Sequence, residues 1–437
     1  MFFRRQNPRS VIVENCANGR PTFLAVHHGW GGGVEKHVED LAAIYGERCN
    51  FLVMRPDGGR LVVISLIGPK HLAEVRLEPN RQREELLRLF RDCNVQRIHI
   101  HHFFGNEYYL ESLVNDLQLP FDFTVHDYHV LSPQPHLVSR EGRFIGDHLN
   151  LFASCELVTF GVAPARPASL EEWQAKTQWL VKEASRVIVP SYDVSRRLRR
   201  FFPEMHAVLA AHPEASCQAS EPRQISLAPD QDLRIALLGR LAPHKGSRLL
   251  TACASVVSQA RLPLQFQVIG EVMEAAQLCE LGVKISGSYC ASDLPGLIKQ
   301  YDPHVLWYPA QCPETFSYTL SEGLSANLPI AASNIGALAE RLGGRSWTWI
   351  KAWDSRPDEW IELFLAIRER HFLTGSSPEQ FGIAWGITDH FYRGEYLDWI
   401  DRSSSQQTRE KFAAPSTPRP GKFRWGSKMW SKAKSDS

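Results

Sequence analysis

The chain has 437 residues, 43% of them hydrophobic and 22% charged, with 49 Lys and Arg against 48 Asp and Glu. That composition belongs to a folded protein of two or three domains and excludes disordered and fibrous chains. A net charge of +1 gives no global attraction to nucleic acid, so any basic site has to be local.

The nine cysteines are odd in number, scattered, and never spaced C-x-x-C, which argues against a disulfide framework or a structural zinc site and for a reducing compartment. Behind Arg4 and Arg5 no apolar run reaches signal-peptide length, and the longest aliphatic stretch, 61–67, is far too short for a bilayer. A cytoplasmic protein is expected.

Residues 1–20 carry no clear period and are read as weakly structured. An apolar run at 22–27 predicts a buried strand, followed by Gly29-Trp30-Gly31-Gly32-Gly33 and an amphipathic helix over 34–45. Strand, glycine-rich turn and helix let backbone N–H groups approach an anion, although neither G-x-G-x-x-G nor a P-loop is present. Further strands are expected at 51–54, 61–66, 97–101 and 121–125, with helices at 84–93 and 107–117. This alternation predicts a mostly parallel sheet covered on both faces, which binds ligands beyond the carboxyl ends of its strands. Two of those ends are rich in histidine: His99, His101 and His102, then His126-Asp127-Tyr128-His129. Neighbours along a strand point to opposite faces, so histidines in a row cannot all converge on one ion, and no metal is expected.

Prolines and glycines over 142–169 predict a long loop near the cleft, where acceptor contacts would lie. A helix over 170–184, a strand at 187–189 and a helix over 194–202 close a first domain, 1–212. Arg196, Arg197, Arg199 and Arg200 read as a solvated face, with contact to an anionic membrane surface as the alternative. Residues 213–232 lack periodicity and form the expected linker. Asp230 and Asp232, the D-x-D pair of the chain, precede a strand there and read as a turn, not as ligands of a divalent cation. The charge of a diphosphate would then have to be met by protein cations.

Those follow at once in the second domain, 233–380. A strand at 234–238 opens into Gly239-Arg240-Leu241-Ala242-Pro243-His244-Lys245-Gly246 and a helix from 247, which puts Arg240 and Lys245 where phosphate docks on a doubly wound sheet. Strands at 264–269, 283–286 and 304–308 and a helix over 292–301 continue the sheet. Gly270-Glu271 and Gly287-Ser288 end two strands, either facing a base or as plain turns.

Residues 312–329 read C-P-E-T-F-S-Y-T-L-S-E-G-L-S-A-N-L-P: a turn into a short helix with Leu320 and Leu324 on its inner face. The first amides of that helix, at Ser317, Tyr318 and Thr319, suit a diphosphate. Glu314 and Glu322, with seven residues between them, stand on either side of this anion site, able to accept from sugar and ribose hydroxyls. Helices at 358–368 and 379–401 follow. From 403 the chain is polar, then basic with aromatics interleaved, a mixture used at nucleic-acid and membrane surfaces alike.

The run 312–329, together with I-G-A-L-A-E-R-L at 335–342 and G-R-L-x-x-x-K-G at 239–246, closely resembles the retaining glycosyltransferases of family 4 (glycosyl transferases group 1), departing from them at Asn327, where Gly is commoner. The resemblance implies the GT-B fold, two Rossmann-like doubly wound domains facing each other across a cleft, with a helix over 381–402 crossing back to the first domain and a basic tail at 403–437. It assigns Glu314 to the donor sugar, Glu322 to the nucleotide ribose, and Arg240 and Lys245 to the diphosphate. Gly32, Gly33 and His37 match a G-G-x-x-x-H turn facing the cleft, and T-V-H-D-Y matches a segment that presents a histidine, here His126, to the sugar, with Asp127 as a second contact. The implied activity is hexosyl transfer from a nucleotide-sugar donor to a glycan or lipid-linked acceptor in cell-envelope polysaccharide synthesis, with retention of configuration and neither metal nor cofactor. A lipid-linked acceptor favours the membrane over nucleic acid as partner of the tail, placing the enzyme in the cytoplasm with peripheral contact at the inner membrane face. An epimerase or phosphorylase on the same fold and a non-catalytic scaffold subunit are the alternatives.

Overall fold

The protein was analysed as a computed structural model that describes residues 7–68, 73–139, 141–146, 169–214, 225–376 and 387–400. Most of the expected acceptor loop, the middle of the linker and the basic tail lie outside the described residues. Residues up to Arg393 form one compact unit, and Gly394–Ser437 is assigned to a second.

An amino-terminal helix, α1 (Pro8–Cys16), corrects the reading of 1–20 as weakly structured. Asn7 caps it by accepting from Arg9 N at 3.1 Å, Pro8 fills the first helical position, and Ile12 and Cys16, four apart, bury one face. Nine residues hold only two turns, too few for the apolar period to stand out.

The first sheet is built from β1 (Thr22–Val26), α2 (Gly33–Tyr45), β2 (Asn50–Pro56), β3 (Val62–Leu66), β4 (Glu74–Leu77), α3 (Arg83–Asp92), β5 (Val95–Ile100), α4 (Leu110–Leu117), β6 (Phe121–Thr124), α5 (Leu170–Thr177), α6 (Trp179–Lys182), β7 (Arg186–Val189), α7 (Tyr192–Arg199) and β8 (Ala207–Leu209). Its order is β4-β3-β2-β1-β5-β6-β7-β8. All pairings are parallel except those of β3 with β2 and β4. β4 and β8 were not expected, being short and only partly buried edge strands. The helix over 170–184 breaks in two at Gln178.

The second sheet comprises β9 (Leu233–Leu238), α8 (Ser247–Ala260), β10 (Leu264–Ile269), α9 (Ala275–Glu280), β11 (Lys284–Ile285), α10 (Leu294–Tyr301), β12 (Val305–Tyr308), α11 (Tyr318–Ser325), β13 (Ile330–Ser333), α12 (Ala337–Leu342), β14 (Thr348–Lys351) and α13 (Pro357–Ile367). Its order, β11-β10-β9-β12-β13-β14, is fully parallel. The chain order therefore reverses beside β1 in one sheet and beside β9 in the other, and a doubly wound sheet opens its ligand crevice at such a point. β13, Ile-Ala-Ala-Ser, escaped the sequence reading because so short a run beside a helix does not separate from it by period, and β14, Thr-Trp-Ile-Lys, because an edge strand carries little apolar run.

Each sheet buries its own apolar core, one including Leu24, Leu52, Phe90 and Ile98, the other Ile235, Phe266, Trp307 and Trp360. Arg197, expected on a solvated face, is buried instead: it binds Asp193 at 2.6 Å and lies over Phe144. Asp230 and Asp232 sit exposed at a turn, as expected. Of the expected last helix, residues 387–400 are described and include a π-type turn, Phe391–Glu395, with the Arg186 guanidinium over Phe391. No helix among the described residues is long and apolar enough to cross a membrane.

Candidate functional site

A cleft of about 460 Å³ lies where the carboxyl ends of the two sheets meet, a size ordinary for small-molecule sites. Gly32, Gly33 and His126 line it from the first sheet; Arg240, Lys245, Glu314, Ser317, Tyr318, Thr319 and Glu322 line it from the second. Residues separated by more than 200 positions thus share one wall-to-wall space.

Lys245 ends a 3₁₀ turn, Pro243–Lys245, that follows β9 and is closed by Gly246 at φ +93°. A side chain on Gly246 would strike Pro309 O at 2.4 Å, so the turn that aims Lys245 depends on glycine there. Lys245 Nζ stands 3.7 Å from Glu314 Oε1. Arg240 is 83% exposed along its side chain and 3.9 Å from Glu271, held loosely at the rim.

α11 begins at Ser317, whose φ of +71° is unusual for a residue with a side chain. The buried Arg341 of α12 holds that bend: it donates to Phe316 O at 2.9 Å, Ser317 O at 2.8 Å and Ser321 Oγ at 2.7 Å, and its Cζ lies over the Phe316 ring, 4.1 Å from the centroid. Ser317, Tyr318 and Thr319 at the start of α11 line the cleft, and a helix start favours an anion. The motif I-G-A-L-A-E-R-L contained Arg341, but nothing local in it signalled this anchoring.

Gly33 packs directly against Tyr318 of the other sheet; a Cβ on Gly33 would fall 2.9 Å from Tyr318 Cδ2. Gly33→Ala is therefore expected to destabilise the fold by about 1–3 kcal/mol through overpacking, read as a lower urea midpoint with an unchanged slope.

Glu322 is buried enough that its carboxyl is shifted upward, an effect opposed by Tyr289, whose hydroxyl donates to Oε2 at 3.0 Å. Tyr289 lies in the loop after β11 and was missed, since a Gly-Ser-Tyr-Cys turn carries no mark of which side chain reaches a carboxylate 33 positions away.

His126 sets its Nε2 in a group of histidines, 3.3 Å from His37 Nδ1 and 3.2 Å from His101 Nδ1. Asp127 lines the cleft and is held by its neighbours, with His102 Nε2 at 2.9 Å from Oδ2 and His129 N donating to Oδ1 at 2.9 Å. Burial first, and neighbouring imidazoles second, hold His37, His101 and His126 well below the ordinary histidine range. Burial, with Arg341 nearby, lowers His212 to about 3.

Three hydrogen bonds beside the cleft run between the lobes. Thr315 Oγ1 donates to His126 O at 2.6 Å, and Glu340 accepts from Tyr192 N at 2.9 Å and Asp193 N at 2.6 Å, capping α7 from the opposite sheet.

Two doubly wound parallel sheets facing each other across a cleft define the GT-B class, the fold of nucleotide-sugar glycosyltransferases. Among solved structures, the chain is similar to HepE of Anabaena in complex with UDP-glucose, at TM-score 0.53 and 13% identity over 89% of this chain and 99% of that one. It is likewise similar to sucrose-phosphate synthase from Thermosynechococcus elongatus, at TM-score 0.55 and 16% identity over 90% and 99% of the two chains. No protein-family model and no curated protein matches the sequence.

Proposed function

We propose that the protein is a retaining hexosyltransferase of the family 4 type, moving a sugar from a nucleotide-sugar to a glycan or lipid-linked acceptor in envelope polysaccharide synthesis. The observation that carries this reading is the cleft itself: Lys245 and Glu314 3.7 Å apart, Glu322 beyond the α11 start, and the Gly32-Gly33 turn opposite. HepE, of the same fold, was solved with UDP-glucose, a donor of this class.

In this reading the donor diphosphate lies between the α11 amides and the cations Lys245 and Arg240. Negative charge grows on the leaving diphosphate as the glycosidic bond to it breaks, and these groups stabilise it where it develops. Glu314 accepts from sugar hydroxyls. Glu322, with Oε2 taken by Tyr289, offers Oε1 to the ribose. His126 keeps Nδ1 for the sugar. The acceptor hydroxyl attacks the anomeric carbon from the face the diphosphate leaves and gives its proton to the departing diphosphate oxygen, which needs no covalent intermediate and preserves configuration. Closure of the lobes keeps water from consuming the donor. Peripheral membrane contact through the tail belongs to the same proposal.

The test is a turnover screen across UDP-, GDP-, dTDP- and ADP-sugars with the product anomer read by NMR. Consumption of one donor class with retention is expected; no binding or turnover of any of them overturns the reading. For the donor so identified, Tyr289→Phe should weaken binding of the nucleoside diphosphate about three- to tenfold by calorimetry, the worth of one hydrogen bond, with kcat little changed.

A further inference from the structure

At the wall of the cleft, which His126 and His212 line, the chain gathers histidines from segments that no local pattern links. His37 comes from α2, His126 from the turn after β6, and His212 from the segment between the two sheets, and a ring nitrogen from each lies within 4.8 Å of the others. His37 and His212 are 0% and 3% exposed. Their ring centroids are 4.2 Å apart, with His126 at 5.2 Å from His37 and 4.9 Å from His212.

Hydrogen bonding alone does not satisfy this group. His126 Nε2 carries either one hydrogen or one lone pair, yet it faces both His37 Nδ1 and His101 Nδ1 at bonding distance. His212 Nδ1 is buried without a hydrogen-bond partner, at a cost of about 1–3 kcal/mol. A cation changes the account, because it takes a lone pair from every ring at once. The observed spacing fits one: with zinc–nitrogen bonds of 2.0–2.1 Å, two ligands of a tetrahedron stand about 3.3 Å apart, the separation of His37 Nδ1 and His126 Nε2. His212 offers a ring nitrogen within 4.8 Å of the other two, and a turn of its imidazole about χ2 would be needed to reach the same edge length.

We propose that His37, His126 and His212 form a zinc site that ties α2, the turn after β6 and the segment leading to the linker at one point, with a fourth position left for water. Neutral imidazoles suit zinc, and three of them with an open position make a recognised ligand set. The sequence argument against a metal considered histidines adjacent in a strand; these three are far apart in the chain. The inference stands on this cluster alone and does not depend on the transferase reading.

The full chain, stripped with chelator and then given Co²⁺, should take up one equivalent and show visible d–d bands without thiolate charge transfer. Zn²⁺ should abolish those bands and, against a chromophoric chelator, bind at least about a hundredfold more weakly in His37→Ala and in His212→Ala, since even a partner of a ligand is worth 10–100-fold. A Cys279→Ser/Cys290→Ser variant, lacking the two thiols exposed among the described residues, should bind unchanged. Should either histidine variant fail to fold, anomalous diffraction at the zinc edge from the unsubstituted protein locates the ion directly. A peak among the three histidines supports the site. Absence of d–d bands, affinity unaltered in both folded variants, or a peak elsewhere overturns it.

Discussion

Lys245→Ala is expected to lower sugar transfer by about 10²–10³-fold, the cost of removing one group aimed at charge that develops in the transition state. The loss should fall on kcat and kcat/KM together, since the ammonium does most when the diphosphate is leaving. Its cost to stability should be small. Lys245 sits on a turn with its side chain 37% exposed, and its ion pair with Glu314 is long, at 3.7 Å, and reached by solvent. Arg240→Ala should cost less, because a side chain 83% exposed at the rim is neither fixed nor desolvated. A radiolabelled-donor assay beside circular dichroism separates the two effects. Full activity in Lys245→Ala with an intact fold would remove Lys245 from the proposed machinery.

Asp122→Asn should destabilise the protein by about 3–5 kcal/mol, because it takes the counter-charge from the buried Arg97 and the partly buried Arg186. Asp122 lies in β6, wholly buried, between Arg97 of β5 and Arg186 of β7. Arg97 donates to it at 2.7 and 2.5 Å, and Arg186 at 2.8 and 2.5 Å. Burial pushes the carboxyl up, but the two arginines outweigh it and hold Asp122 down at about 2. A carboxyl depressed in the folded state contributes stability fully above its unfolded value, near 3.9, and loses it as pH falls toward 2. The gap between Asp122→Asn and the unsubstituted protein should therefore be constant at pH 5–8 and shrink below pH 4. Urea midpoints at pH 7 and pH 3 decide it: a gap independent of pH would mean the effect is packing and not charge.

Much of the scaffold was readable along the chain because it rests on local repetition. Most strands at the sheet centres lie within two residues of the expected bounds, since a central parallel strand is apolar on both faces and announces itself as a run. Edge elements were not readable. β4, β8 and β14 show little of that signal, and α1 is too short to show a period. In the cleft, the residues between Cys312 and Pro329 and those between Gly239 and Gly246 stand out because each motif closes on itself within one turn and one helix start. Their meeting with Gly32 and Gly33 could be expected only from likeness to a family.

By itself, then, the sequence determined the alternation of strand and helix, the two sheets, and the two motifs that line the second half of the cleft, because these are set by contacts between residues a few positions apart. Only the tertiary structure decided that Arg341 bends the chain at Ser317, that Tyr289 reaches Glu322, that Asp122 bridges two strands, and that His37, His126 and His212 meet. Each of these joins side chains from separate elements, and their approach is set by how the helices and strands pack, which no spacing along the chain encodes.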